Sequence, residues 1–238
     1  MYLENIVFDA VDPRRVGTFW QDLLGAEQLT DSPEGFETRL SIPGGPDLDL
    51  CFQPVPVPPA DPVRLHLDVL GGPARDAVVA EALRLGARHL DIGQGNVPWV
   101  VLGDPEGNAF CVMDDRAAHR DTGAIAAIPI DSADPERDAR FWAWLTGWTE
   151  AGAAAPRTLR HPSLRGPLLE FCEEPAPKSE MKNRMHLDVR LEAADDPEEV
   201  AAGIGARGGR ELRPDWGDIP WRVYQDPSGN EFCVLPAA

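Results

Sequence analysis

The 238-residue sequence predicts an α+β fold made of two tandem copies of one domain. Three observations predict it. The phrase Arg64-Leu-His66-Leu-Asp68-Val69 recurs as Arg184-Met-His186-Leu-Asp188-Val189. A later phrase, Pro98-Trp99 followed by Asp104-Pro-Glu-Gly107-Asn108-Ala-Phe110-Cys111, recurs as Pro220-Trp221 followed by Asp226-Pro-Ser-Gly229-Asn230-Glu-Phe232-Cys233. Strand-like and helix-like periodicities then alternate in the same order in both copies, so that each half reads as two successive β-α-β-β-β units. The domains expected are 1–115 and 122–238.

Residues 2–8 alternate as a half-buried strand. Asp12-Pro13 opens a helix, with Asp as cap and Pro in the first turn. Val16, Phe19, Trp20, Leu23 and Leu24 form its apolar face and Gly25 ends it. Strands over 36–42 and 47–53 follow, then an extended proline-rich linker, Pro54 to Pro62. A strand over 63–69, a helix from Pro73 to Leu85 closed by Gly86 and a strand near 87–91 come next. The polar Gly-rich loop 93–98 leads to strands 99–103 and 109–114, which flank a turn at Asp104-Pro-Glu-Gly107. The second half repeats this order. It has a strand at 125–131, a helix from Asp134-Pro135 with Phe141, Trp142 and Leu145 on its apolar face, and strands near 157–161 and 167–173. A linker, Glu174 to Lys182, precedes strand 184–190, a helix from Asp196-Pro197 to Gly205, and strands 221–225 and 231–235. The repeat offset is 122 at Asp12, Trp20 and Asp104, falls to 120 at His66, and its drift is placed in loops.

Apolar residues make up 43% of the chain, enough for an ordinary core in each half. Twenty-two basic against 40 acidic residues give a net charge of −18, which disfavours nucleic acid and anionic lipid as partners. No apolar run is long enough for a membrane helix, and the start lacks the pattern of a signal peptide. Cys51, Cys111, Cys172 and Cys233 each lie in an apolar strand pattern, which suits reduced thiols and a cytoplasmic location.

The motifs Asp12-Pro-Arg-Arg-Val-Gly-Thr-Phe19-Trp20 with Leu24-Gly25, and Asp104-Pro-Glu-Gly107-Asn108-Ala-Phe110, with their counterparts from Asp134 and Asp226, resemble the vicinal oxygen chelate superfamily. That superfamily includes glyoxalase I, bleomycin-resistance proteins and extradiol dioxygenases. The resemblance covers nearly the whole chain. It implies that each tandem domain is a pair of βαβββ units forming a cupped mixed sheet with helices on the convex face. It does not imply one chemistry, because the scaffold serves enzymes and pure binders alike. Metal-binding members place ligands on the first and last strands of each unit. Those positions fall on Asn5, Asp49, His66 and Cys111 in the first half, and on Ala127, Glu170, His186 and Cys233 in the second. Cys stands where a carboxylate is usual in both halves, and Ala127 offers no donor.

His66 and His186 admit three readings: a satisfied buried imidazole, a base, or a metal ligand. Asp68 and Asp188, two residues on, share a strand face with them. Trp99 and Trp221 fit either a stacking platform at a cup rim or packing against the neighbouring domain. Trp20 and Trp142 read as core, while Trp144, Trp148 and Trp216 have no first-half copy in Trp form and mark a pocket peculiar to the second half. The turns at Asp104 and Asp226 read as structural.

The expected ligand-lining set is therefore Asn5, Asp49, His66, Asp68, Trp99, Cys111, Glu170, His186, Trp221 and Cys233. His186, Asp188 and His66 are the candidate catalytic groups. The favoured expectation is a binder of a small planar or amphipathic molecule with no cofactor. The alternative is a lyase, isomerase or dioxygenase sited in the second domain, with His186, Glu170 and Cys233 as ligands if a divalent metal binds. A third reading is a structural module with both cups filled by side chains. A monomer or loose homodimer is expected.

Overall fold

The computed structural model describes residues 1–57, 63–152, 157–214 and 217–238. Four units follow one another. The first is β1 (Tyr2–Ala10), α1 (Pro13–Leu24), β2 (Glu27–Ser32), β3 (Gly35–Ser41) and β4 (Asp47–Pro54). The second is β5 (Leu67–Leu70), α2 (Arg75–Leu85), β6 (Arg88–His89), β7 (Val100–Gly103) and β8 (Ala109–Met113). The third is β9 (Ile125–Ser132), α3 (Pro135–Thr146), β10 (Thr149–Glu150), β11 (Arg157–Arg160) and β12 (Leu168–Glu173). The fourth is β13 (Met185–Arg190), α4 (Pro197–Ala206), β14 (Arg210–Leu212), β15 (Arg222–Gln225) and β16 (Glu231–Leu235).

Local chemistry sets the helices. Asp12 and Asp134 accept from the N–H groups of Arg15 and Arg137, Pro takes the first turn in each, and Gly25 and Gly147 close the two helices in the left-handed region. The strands make two eight-stranded mixed sheets, as the four-unit reading requires. Their membership corrects one expectation. The halves do not each build a cup. β1 pairs antiparallel with β13, giving a sheet of order β14-β15-β16-β13-β1-β4-β3-β2. β9 pairs antiparallel with β5, giving β10-β11-β12-β9-β5-β8-β7-β6. The first and last units thus form a terminal cup, and the two middle units a central cup. The physical reason is that β5 and β13 are near copies, so the sequence of β1 suits either neighbour.

Helices cover the convex faces: α1 packs on β3 and β4, α3 on β11 and β12, α2 on β8, and α4 on β14. One apolar core runs through both helix layers and includes Phe8, Trp20, Phe52, Phe110, Trp142, Phe171 and Phe232. Trp20 and Trp142 are core, as expected. Their indole N–H groups also donate to Asp104 and Asp226, at 3.1 and 3.2 Å. Each of these aspartates further accepts from three N–H groups of its own turn, including both the backbone and the side chain of Asn108 or Asn230. The turns are structural clamps that fasten the first-unit helix of each half to its second unit.

Three short outer strands, β2, β10 and β14, were not foreseen. They are largely exposed edges without apolar alternation. The strand expected over 63–69 is interrupted, and His66 lies just before β5 with only Leu65 bridging to Ile130. Part of the Pro54–Pro62 linker, and Trp216, lie outside the described residues. No helix among the described residues is long and apolar enough to cross a membrane.

Candidate functional site

Each sheet turns one face toward its helices, and the opposite face of the terminal sheet lines an open cavity. On the terminal cup that open face carries Asn5, Val7 and Asp9 from β1, and His186, Asp188 and Arg190 from β13. Cys51 and Gln53 come from β4, with Cys233 and Leu235 from β16. They line a cavity of about 710 Å³. Trp221 and Pro220 stand at its wall. The register explains the juxtaposition: Asn5 lies opposite Asp188, and Asp188 lies beside Cys233.

The floor is polar and tight. His186 Nε2 lies 3.4 Å from Asp188 Oδ1 and 3.6 Å from the Cys233 sulfur. Asn5 Nδ2 donates to the other oxygen of Asp188 at 3.1 Å. His186 Nδ1 is buried without a hydrogen-bond partner. Burial, reinforced by Asp188, pushes the Cys233 thiol far above its ordinary range. Beyond the floor, Asp9 accepts from Lys182 Nζ and Gln53 Nε2, both at 2.6 Å, and Arg190 pairs with Glu4. Lys182, Asp9 and Gln53 were not singled out in the sequence. Their only signal was strand parity, which places Asp9 and Gln53 on the faces of Asn5 and Cys51.

On the central cup, His66, Asp68 and Cys111 repeat the arrangement, with His66 Nε2 3.3 Å from Asp68 Oδ1. Glu170 lies near this group, close enough to feel the charges of Asp68 and His66, and the set His186, Glu170 and Cys233 is therefore not brought together. The cross-pairing of the units puts Glu170 on β12, in the sheet of His66. Burial first, then Asp68, raises the Glu170 carboxyl to about 7, against the opposing pull of Arg116 and His66. Trp99 packs beside Cys111, Val101 and Met113, with the Arg116 guanidinium 5.1 Å from its ring centre.

Asp49, the equivalent of Glu170, is neutralised instead. Arg39 donates to both its oxygens at 2.7 and 2.8 Å. It lines a second cavity of about 550 Å³, together with Trp148 and His161 from the third unit. Of the second-half tryptophans, Trp148 thus edges a pocket. Trp144 packs under the Arg207 guanidinium at 4.1 Å.

A divalent metal of the kind this scaffold holds in some members fits both floors on the chemistry of the donors. Each offers imidazole, carboxylate and thiol atoms that lie within 4.8 Å of one another. In tetrahedral zinc coordination the nitrogen–oxygen edge is about 3.3 Å and the nitrogen–sulfur edge about 3.6 Å, given the usual bond lengths. The 3.4 and 3.6 Å separations around His186 match both.

The model of a glyoxalase-like domain matches residues 5–113 and again 127–235, so the chain belongs to the glyoxalase-like family as a tandem vicinal oxygen chelate protein. No curated protein matches. Among solved structures, glyoxalase I from Zea mays superposes with a TM-score of 0.67 at 15% identity, covering 99% of this chain and 92% of that one. A protein from Bacillus subtilis assigned as a dioxygenase superposes with a TM-score of 0.60 at 13% identity, covering 99% and 85%. At these identities the likeness shows the fold alone.

Proposed function

We propose that the protein binds a small planar or amphipathic molecule in the terminal cup. One observation carries the reading: the cavity of about 710 Å³ lies over the face that bears His186, Asp188 and Asn5. That volume suits a small-molecule site, and a mostly apolar wall with a few convergent polar groups is the usual composition of one. Trp221 offers a flat apolar surface at the wall, and the His186–Asp188–Asn5 chain fixes polar atoms on the floor. The chain works as one polypeptide, since both cups are completed within it.

A second reading is favoured by the donor separations around His186. With a divalent cation on His186, Asp188 and Cys233, the cup has the three-donor, open-position form of a catalytic site. The cation would supply Lewis-acid polarisation of a ligand oxygen, the chemistry of a lyase, isomerase or dioxygenase of this scaffold. The chain's own part is separate. Asn5 donates to Asp188 and so fixes that carboxylate beside the His186 imidazole; without a cation, His186 Nε2 is the atom placed to take or give a proton at the floor.

The test is a fluorescence titration against a panel of planar aromatic and amphipathic compounds. Saturable quenching that is lost in Trp221→Phe and weakened in His186→Ala is the expected result. No saturable response from any compound, with Trp221→Phe indistinguishable from the parent, would refute the binding reading. Elemental analysis of the same samples separates the two readings: near-stoichiometric metal that disappears with His186→Ala selects the metal-dependent one.

A further inference from the structure

One tryptophan that the repeat does not supply serves neither cup floor. Trp148 stands where the first half has Ala26, and it lines the cavity of about 550 Å³ between the first and third units. One wall comes from β1 and the β3–β4 hairpin, with Tyr2, Pro46 and Asp47. The other comes from the end of α3 and the turn after β11, with Trp148, His161 and Pro162. The two units are in contact beside it: a Cβ added at Gly166 would meet the Pro46 ring at 3.0 Å. Small-molecule sites form preferentially in cavities of this size at such junctions. Neither half contains this one alone.

The walls specify a ligand. Trp148 is 2% exposed, yet its indole N–H has no hydrogen-bond partner among the described residues, unlike those of Trp20 and Trp142. A buried indole N–H normally finds a partner, and the cavity that Trp148 lines has room for one. The His161 ring stands at 84° to the Trp148 ring with centres 6.1 Å apart, which makes a right-angled aromatic corner. The Ser163 N–H donates to His161 Nδ1 at 3.2 Å, so the ring proton sits on Nε2, a second donor with no partner among the described residues. Burial keeps this imidazole neutral by lowering its pKa. Of the carboxylates on the opposite wall, Asp49 is held by Arg39 and Glu4 by Arg190. Asp47 has neither an ion pair nor a side-chain hydrogen bond among the described residues, and it remains as an acceptor.

We propose that this cavity is a second ligand site, apart from the terminal cup, for a flat nitrogen heteroaromatic that bears an amino group. The ring lies in the aromatic corner, its ring nitrogens accept from Trp148 and His161, and its amino group donates to Asp47. A flat molecule without ring acceptors leaves the indole N–H unpaired and is disfavoured. An anion is disfavoured too, because Glu4, Asp47 and Asp49 outnumber Arg39 on the wall. The first unit belongs to the terminal sheet and the third to the central one, so a bound ligand bridges the two sheets.

The experiment follows the indole N–H signals of the ¹⁵N-labelled full chain by NMR, with Trp148→Phe and Trp221→Phe to assign the two cavities. The probe is adenine. Its controls are purine, which lacks the amino group, and 4-aminoindole, which keeps it but has no ring acceptor. The expected result is a saturable shift of the Trp148 signal with adenine, and binding about threefold or more weaker with each control. Asp47→Ala should weaken adenine by a similar factor and leave purine unchanged. Asp47 is exposed, so this decisive substitution does not depend on Trp148→Phe folding. No saturable shift of the Trp148 signal at millimolar adenine would overturn the proposal. So would equal binding of adenine and purine, or an Asp47→Ala chain that loses both alike. Adenine binding should persist in Trp221→Phe, so a failure to find the ligand of the terminal cup leaves this result unaffected.

Discussion

Asp49 and Glu170 occupy equivalent strand positions and meet opposite fates because of the residue across the ladder. Arg39 lies opposite Asp49, whereas Thr158 lies opposite Glu170. The first carboxylate is paired; the second is buried beside Asp68 with a carboxyl raised to about 7. A folded-state value above the ordinary 4.5 means that the native protein holds this proton more tightly than the unfolded chain does. Stability from this group is therefore fully present below pH 4.5 and is lost as pH rises through about 7. Glu170→Gln should raise stability of the metal-stripped protein at pH 8 by on the order of 2 kcal/mol and leave it nearly unchanged at pH 4. Urea denaturation at the two pH values checks this, and an equal effect at both would contradict it. The donor types on both floors were legible in the sequence, since His66, Asp68, Cys111 and their copies stand in the repeated phrases. The partner across the ladder was not, because register is a property of paired strands and not of either strand alone.

At the level of elements, α1 shows how packing overrides propensity. Gly17 sits inside the helix, where Ala would ordinarily gain up to about 1 kcal/mol. A Cβ there would meet the Phe36 ring at 2.2 Å, and Phe36 is itself buried. Overpacking of this kind costs about 1–3 kcal/mol, so the clash wins and Gly17→Ala should lower the melting temperature. A thermal melt that rises would contradict the close approach of α1 to β3. The helices were readable from the sequence because caps, apolar spacing and closing glycines agree. The outer strands β2, β10 and β14 were not, because an exposed edge carries no periodic apolar signal.

For the molecule as a whole, the four-unit architecture was legible and the partnership of the units was not. The repeat that reveals the units also makes β5 and β13 interchangeable as neighbours of β1. The Trp20–Asp104 and Trp142–Asp226 clamps hold each half together through its helices, while the sheets join one half to the other. A fragment of residues 1–118 made alone should therefore leave β1 and β5 with unpaired inner edges and self-associate. Mixed with residues 119–238, it should form a one-to-one complex. Sedimentation velocity follows both steps, and a 1–118 fragment that fails to associate with 119–238 would argue against the cross-paired arrangement.

The cross-pairing also orders the protein's synthesis. Chains fold as they emerge from the ribosome, roughly from the N-terminus onward. The central cup has all its strands once Glu173 is out, whereas the terminal cup waits for β16, which ends at Leu235. β1 precedes every other strand and keeps one edge unpaired until β13, which ends at Arg190, has emerged. A ribosome that stalls before Cys233 leaves a chain with a finished central cup and an unfinished terminal cup.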